Sequence, residues 1–234
     1  MTRDTVILIR HGDETGDDRA SAWLSGRGFN VEWRAPYEGD VLDEEIADHL
    51  AGTVLYGGAH CVDEPEIYPW LADEASWVRR CIAADRPVLG VCLGGQVIAD
   101  ALGAAVGPGT SGLYEFGYYP LIAAEGQDVI PDGLVVSQAH FHEFQLPPGA
   151  QHLAGSAAFP NQAFRYGERT FALQFHPEQT VEGFRRWQDA DWAHFGKPGA
   201  QDRREQDERA AIHDARQEKW FHDFLSRLFG DGPA

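Results

Sequence analysis

Short runs of branched apolar residues alternate with stretches of helical periodicity along the first part of the chain. Runs of this kind, bounded by turn residues, are typical of buried strands. They cover residues 5–9, 30–33, 53–56 and 87–91. The stretches between them predict helices at residues 17–26, 44–50 and 76–84, and a further helix that begins after Cys92 and stops at Gly103. This order predicts β-α-β units around a buried parallel sheet.

The pattern changes in the second half of the chain. Residues 114–175 contain short alternating strands and turn residues, of which 134–138 and 170–174 are the clearest strands. Residues 180–229 have mainly helical spacing, with an apolar stripe formed by Trp220, Phe221, Phe224, Leu225 and Leu228. Such a stripe predicts a helix packed on the core, and a face that docks a partner is the alternative.

Composition narrows the classes of partner and compartment. The chain has 234 residues, 43% hydrophobic and 24% charged, which suits one globular domain. Its net charge of −18 would repel nucleic acid and anionic membranes, so neither is expected as a partner. The apolar run near the N-terminus is too short for a signal peptide or a membrane span. The cysteines number three and lack disulfide spacing, so a cytoplasmic protein is expected.

One of these cysteines lies in a segment suited to nucleophilic chemistry. The segment Gly90-Val91-Cys92-Leu93-Gly94-Gly95-Gln96 joins a predicted buried strand to a predicted helix. Glycines let the backbone pass through a sharp strand-to-helix turn that exposes the nucleophile. A cysteine at a helix N-terminus also has a lowered thiol pKa. The alternative is a buried cysteine on an ordinary glycine-rich turn.

A second motif supplies a base and a carboxylate. His176 follows a predicted strand, and Glu178 lies two residues beyond it, with Pro177 between them. A histidine oriented by a carboxylate can activate a nucleophile. Such a triplet alone is usually a surface turn, but together with the cysteine turn it indicates a catalytic triad.

These motifs resemble the class I glutamine amidotransferases, the triad-type family that releases ammonia from glutamine. The family pattern Gly-x-Cys-x-Gly-x-Gln is matched by residues 90–96, and its closing His-Pro-Glu by residues 176–178. Tyr-Gly-Gly-Ala at 56–59 looks like the family's oxyanion loop. Glu-Phe-Gly-Tyr at 115–118 is similar to a segment of the glutaminase domain of GMP synthase. The resemblance covers roughly residues 6–178, with the motifs in the family's order.

The resemblance implies a role for each matching residue. Cys92 would attack the side-chain amide of glutamine and form a γ-glutamyl thioester, His176 would transfer the protons, and Glu178 would hold the imidazole. The backbone N–H groups of Gly58 and Leu93 would form the oxyanion hole. The implied substrate-binding residues are Gly57, Gln96, Glu115, Phe116 and Gly117. No metal or cofactor is expected.

Two departures from the family pattern leave specificity open. Ala59 stands where the family usually has proline after the oxyanion-loop glycine, so the loop is expected to be looser or to need a ligand to order it. His140-Phe141-His142 stands where relatives often have His-Gly-Asp. Alternate strand residues share a face and could bind a metal, but the sequence offers no third ligand, so structural or substrate-adjacent roles are favoured. Cys61 and Cys81 lie in no reactive motif and are expected to be passive.

The expected fold is α/β: a flavodoxin-like, doubly wound and mostly parallel sheet with helices on both faces and a helical C-terminal extension. Residues 1–189 are expected to form the amidotransferase domain, and 190–234 the extension packed on it. No synthase domain fits after Glu178, so the ammonia acceptor would belong to a separate synthase protein that acts as a partner; a homo-oligomer is also open. The alternative is a stand-alone γ-glutamyl peptidase, and a non-catalytic binding module is least favoured.

Overall fold

The computed structural model describes residues 3–12 and 16–233. Its strands are β1 (Thr5–Ile9), β2 (Asn30–Arg34), β3 (Leu50–Leu55), β4 (Val88–Val91), β5 (Val106–Pro108), β6 (Glu115–Pro120), β7 (Ile122–Ala123), β8 (Val135–His140), β9 (His142–Phe144), β10 (Gln151–Gly155), β11 (Ala163–Tyr166) and β12 (Thr170–Leu173). Its helices are α1 (Arg19–Gly26), α2 (Leu71–Ala83), α3 (Leu93–Ala101), α4 (Val181–Gln188) and α5 (Arg203–Phe229).

A central sheet runs through the described residues in the order β2-β1-β3-β4-β12-β11-β10-β7. The first five strands are parallel, and β11, β10 and β7 continue the sheet antiparallel. The pairs β5–β9 and β6–β8 form two small antiparallel ribbons. The inner parallel strands β1, β3, β4 and β12 are almost completely buried, which explains why their sequences are mainly apolar. The edge strand β2 is only partly buried and includes polar residues. The expected doubly wound, mostly parallel α/β fold is therefore confirmed.

Alternate residues of β1 show how the two layers are filled. Val6 and Leu8 lie in the core cluster shared with α1 and α5, whereas Ile7 and Ile9 lie in the cluster shared with α2 and α3. Successive strand side chains point to opposite faces, so one strand contributes to both layers. Because β1, β3, β4 and β12 run parallel, their carboxyl ends lie at one edge of the sheet.

The expected helix at residues 44–50 is wrong. Residues 44–45 form a bend and residues 48–49 a turn, and Leu50 begins β3, where it pairs with Thr5 of β1. Leu50 is buried in the core in this position. Burial and strand pairing outweigh the local helical preference of the segment, because propensity is a weak prior against tertiary packing.

The apolar stripe of α5 packs inside the molecule. Phe221 and Leu225 are fully buried, and the Trp220 indole N–H donates to the Val129 carbonyl at 2.9 Å. This confirms the core role expected for the stripe and excludes it as an exposed docking face. Among the described residues, no helix has both the length and the apolar character needed to cross a bilayer.

Candidate active site

Cys92 occupies a strained turn between β4 and α3. Its backbone has φ 51° and ψ −112°, and within the described residues only one other non-glycine residue, Asp85, has positive φ. A non-glycine residue in such a conformation costs about 1–3 kcal/mol, which the surrounding fold must offset. The turn places Cys92 at the carboxyl end of β4 and at the N-terminus of α3.

Glycines allow this turn to pass close to its neighbours. A Cβ on Gly94 would collide with the Leu55 carbonyl of β3, and a Cβ on Gly90 would collide with the Gly94 carbonyl. These collisions involve main chain rather than movable side chains. The glycines at these positions are therefore required by the close approach of backbone to backbone.

His176 and Glu178 lie just beyond β12 at the same edge of the sheet. His176 Nδ1 and Glu178 Oε1 are 2.7 Å apart, and both side chains are almost completely buried. The His176 N–H donates to the Ser137 carbonyl at 2.9 Å, and the Ser137 hydroxyl donates to the His176 carbonyl at 2.6 Å. The N–H of Arg19 in α1 donates to the Glu178 carbonyl at 2.8 Å. Main-chain bonds from two directions thus fix this turn.

The three side chains form one electrostatic unit. Burial by itself lowers the pKa of His176, but the charges of Glu178 and Cys92, together with the hydrogen bond to Glu178, raise that pKa to about 10. At neutral pH His176 is therefore an imidazolium between a carboxylate and the Cys92 sulfur. This is the arrangement that activates a cysteine nucleophile.

The loop after β3 lies directly against these residues. A Cβ on Gly57 would be 2.7 Å from His176 Cε1 and 3.3 Å from Cys92 Cβ, so only a glycine fits there without displacing the histidine. In the described part of the chain, neither the Gly58 N–H nor the Leu93 N–H donates to another protein group. Leu93 is the first residue of α3, where unpaired N–H groups are expected.

A cavity of about 510 Å³ opens onto Cys92 and His176. Gln96 and Gly57 line it, and the Gln96 amide donates to Gln174 Oε1 at 3.2 Å. An aromatic wall of this cavity is formed by Phe141, Trp187, Trp192 and His194. The Trp187 ring packs edge-on against His176 at 4.6 Å between centroids and shields it from solvent.

Glu115, Phe116 and Gly117 do not reach the cavity wall. The Glu115 carboxylate is buried and accepts from the Ser156 hydroxyl at 2.7 Å, and Gly117 abuts Gln201. The Phe116 ring packs against the rings of Trp192 and His194, which themselves line the cavity. Direct substrate contact, expected for these three residues, stays a prediction. Their strand lies behind the cavity rather than along it.

His140 and His142 do not form a shared metal site. The His140 ring is held at both nitrogens, Nδ1 at 3.0 Å from the His142 carbonyl and Nε2 at 3.1 Å from Glu115. His142 instead approaches Cys61 and Asp63, and one potential ligand atom from each of these three lies within 4.8 Å of the others. Three such ligands could hold a zinc ion. Burial first, and nearby acidic charges second, raise the pKa of Cys61 to about 11, so without a metal it is a passive thiol.

Sequence reasoning missed His11, which follows β1 at the same edge as Cys92. Its ring is fully buried, with Nε2 at 2.9 Å from Glu74 of α2 and Nδ1 at 2.9 Å from the Tyr56 carbonyl. Functional residues of open α/β sheets concentrate at the carboxyl ends of strands, and that signal could have singled it out. Trp187 was missed too, because α4 offered no motif around it.

Comparisons of the sequence and of the structure with known proteins agree on one family. Residues 25–186 match the family model described as glutamine amidotransferase class-I. The glutamine amidotransferase-like protein YfeJ of Salmonella typhimurium is 32% identical over 169 residues, which span 68% of this chain and 70% of that protein. One subunit of the glutamine-hydrolyzing GMP synthase from Methanoregula boonei is 34% identical over 63% of this chain and 77% of its own length. The crystal structure of a glutamine amidotransferase from Thermotoga maritima superposes with a TM-score of 0.84 at 26% identity, covering 97% of this chain and 98% of that one.

Proposed function

The chain belongs to the class-I glutamine amidotransferase family, and on that basis we propose that it hydrolyses the side-chain amide of glutamine through a γ-glutamyl thioester on Cys92. One observation carries this proposal. A cysteine on a strained strand-to-helix turn lines the same cavity as a buried histidine, and both approach Gly57 closely. That histidine is in turn 2.7 Å from a buried carboxylate. Nucleophile, base and orienting group thus lie together.

The proposed first step is attack by the Cys92 sulfur on the amide carbon. A carbon–sulfur bond forms, the carbon–nitrogen bond then breaks, and His176 gives its Nε2 proton to the departing nitrogen as ammonia. In the second step His176 takes a proton from water, whose oxygen attacks the thioester. The carbon–sulfur bond breaks, the thiolate returns, and the γ-carboxylic acid leaves and gives its remaining proton to solvent. Glu178 keeps the imidazole oriented through both steps.

Charge develops on the carbonyl oxygen in each step, and backbone donors would hold it. We assign this role to the N–H groups of Gly58 and Leu93, which flank Cys92 and have no acceptor in the described part of the chain. Removing one such donor typically costs about 3–4 kcal/mol of transition-state stabilisation.

A stand-alone γ-glutamyl peptidase is the second candidate, favoured by the size of the cavity. Glutamine is a small amino acid, whereas cavities of about 300–1,000 Å³ suit drug-sized ligands. The aromatic wall formed by Phe141, Trp187, Trp192 and His194 would accommodate an apolar leaving group larger than ammonia. The chemistry at Cys92 is the same for both substrates, since each is a γ-glutamyl amide.

For the first candidate the ammonia acceptor would belong to a separate synthase protein. The relative from Methanoregula boonei is itself named as one of the subunits of GMP synthase. Without its partner the chain would then be a slow glutaminase, because Ala59 leaves the loop around Gly58 less rigid than a proline would. A misplaced oxyanion donor alone can lower turnover by about a hundredfold.

The test is steady-state release of ammonia, or of the free amino acid, by the purified protein. Glutamine and γ-glutamyl-phenylalanine would be compared at saturation, with Cys92→Ala as the control. Slow turnover of glutamine with fast turnover of the peptide would select the peptidase. Turnover of glutamine at about 10 per second or more would show an unrestrained glutaminase. Absence of hydrolysis of any γ-glutamyl amide would refute the proposal.

A further inference from the structure

We infer that His11 and Glu74 form a positioning pair that holds the oxyanion loop in its active geometry. This inference rests on the proposed function and adds two residues to it, neither of which touches the substrate's reacting atoms. They lie 63 positions apart in sequence, and their side chains have no solvent exposure.

The contacts of the His11 ring define its protonation at one nitrogen. Nδ1 is 2.9 Å from the Tyr56 carbonyl oxygen and 3.3 Å from the Gly57 carbonyl oxygen. Carbonyl oxygens only accept hydrogen bonds, so Nδ1 must carry a proton. Nε2 faces Glu74 Oε2 at 2.9 Å. Either an imidazolium donates to a carboxylate there, or a carboxylic acid donates to the imidazole, and Nδ1–H is kept in both cases.

The carbonyl that His11 holds is also tied to the catalytic turn. The Tyr56 oxygen accepts a second hydrogen bond, at 3.0 Å, from the N–H of Gly94 in α3. The peptide that precedes Gly57 is therefore fixed between β1 and the helix that carries Cys92. This fixes the direction in which the loop leaves the sheet.

The His11 side chain also restricts the position of Gly58. A Cβ on Gly58 would be 2.5 Å from His11 Cβ, so the main chain of Gly58 lies directly on that side chain. On its other side the loop packs on the triad, since Gly57 contacts His176. The Trp70 ring stacks on His11 at 5.6 Å and leaves the imidazole little freedom to turn. The loop is thus clamped between His11 and the reacting groups.

Glu74 has no other evident purpose in its position. Its carboxyl group is fully buried on α2, which packs in the core cluster shared with α3. In the described part of the chain its Oε1 has no hydrogen-bond partner. A buried carboxyl with one unpaired oxygen reduces stability unless it serves another role. The hydrogen bond between Glu74 Oε2 and His11 Nε2 holds the His11 ring so that Nδ1–H points at the loop.

The experiment compares four variants with the wild-type protein: His11→Ala, Glu74→Ala, Glu74→Gln and His152→Asn. His152 is the matched control, because its ring also faces two carbonyl oxygens, at 2.9 and 3.0 Å, but on β10 away from the cavity. Each protein is measured for kcat and KM on the substrate that the wild type hydrolyses best. The rate at which iodoacetamide alkylates Cys92, read by intact mass, is measured in parallel. That reaction needs the thiolate but no oxyanion hole.

His11→Ala and Glu74→Ala are expected to lower kcat by about tenfold to a hundredfold, as for a misdirected oxyanion donor. Their KM and alkylation rates are expected to stay within about threefold of wild type. Glu74→Gln should retain kcat within about threefold, because its amide can donate to His11 Nε2 and leave Nδ1–H in place. Should His11→Ala fail to fold, the two Glu74 variants carry the comparison.

Equal losses of kcat and of alkylation rate would overturn the inference, since they would indicate general damage to the site. Unchanged kcat in folded Glu74→Ala would overturn it as well. If the wild type and His152→Asn hydrolyse no γ-glutamyl amide, the proposed function itself fails and the positioning role with it. A loss of kcat confined to His11→Ala and Glu74→Ala, with activity kept in the wild type and His152→Asn, would support both the proposed function and the positioning role.

Discussion

Replacing Glu178 by glutamine removes the carboxylate that keeps His176 protonated and leaves an oxygen in almost the same place. The pKa of His176 is raised from 6.5 to about 10, against the effect of burial, by the charges of Glu178 and Cys92. A rise of that size corresponds to about 5 kcal/mol of preference for the imidazolium. Glu178 is the largest of the contributions that raise it, so the variant is expected to lose more than one pH unit of that rise.

The pH dependence of hydrolysis follows from this value. The first step needs a protonated His176 to release the leaving group, so wild-type kcat/KM is expected to fall as pH rises through about 10. In Glu178→Gln the alkaline fall should occur at distinctly lower pH. At neutral pH the variant should lose about tenfold to a hundredfold in kcat, since an amide oxygen still orients the ring, as asparagine does in papain-like proteases.

Stability should change over the same range. Because the folded-state pKa of His176 is raised, its contribution to stability is complete below pH 6.5 and disappears as pH rises through about 10. The difference in unfolding free energy between wild type and Glu178→Gln should therefore narrow across that range. Chemical denaturation at several pH values measures it.

The assay is kcat/KM for product release between pH 6 and pH 11, with Glu115→Gln as the matched control. Glu115 also pairs with a buried histidine, His140, at 3.1 Å, but outside the triad. Its variant should leave the position of the alkaline fall unchanged. An alkaline fall at the same pH in wild type and Glu178→Gln would refute the reasoning, because the carboxylate would then not set the His176 pKa.

Other changes test the nucleophile, the base and the turn that carries them. Cys92→Ser is expected to reduce hydrolysis below about 5% with an unchanged melting temperature, since an unactivated hydroxyl is a poorer nucleophile; ammonia release and circular dichroism check this, and higher residual activity would exclude Cys92. His176→Ala should cost several orders of magnitude in kcat, more than Glu178→Gln, because it removes the base and not only its orientation; equal and small losses at both would place them outside the site. Gly94→Ala should lower the free energy of unfolding by about 2 kcal/mol or more, because its Cβ would collide with the Leu55 carbonyl; an unchanged denaturation midpoint would contradict the close approach.

Features that depend on neighbouring residues in the chain were accessible from sequence. The run 5–9 was predicted as a strand and is β1, and the helix expected after Cys92 is α3. The glycines around Cys92 indicated a sharp turn, because only glycine tolerates such close backbone contact. His176 and Glu178 were paired for a similar reason, since two residues flanking a proline at the end of a strand can face the same side.

Features that depend on contacts between distant segments could not be predicted from the sequence. The pattern at 44–50 is helical, yet pairing with β1 makes Leu50 a strand residue. No local pattern shows that the Glu115 carboxylate of β6 accepts from the Ser156 hydroxyl, because these residues are 41 positions apart and meet only in the fold. No local pattern links His11 to Glu74, because their meeting requires β1 and α2 to pack at one edge of the sheet.

The sequence by itself therefore determined the parallel sheet, the turn that carries Cys92, and the residues available for a triad. These follow from side-chain periodicity and from steric limits on a few consecutive residues. Only the tertiary structure decided the shape of the cavity, the aromatic wall around it, the burial of α5 and the contacts of His11 with the loop after β3. These features depend on which of many compatible surfaces pack together. The free energy of that long-range burial cannot be calculated from any single segment of the chain.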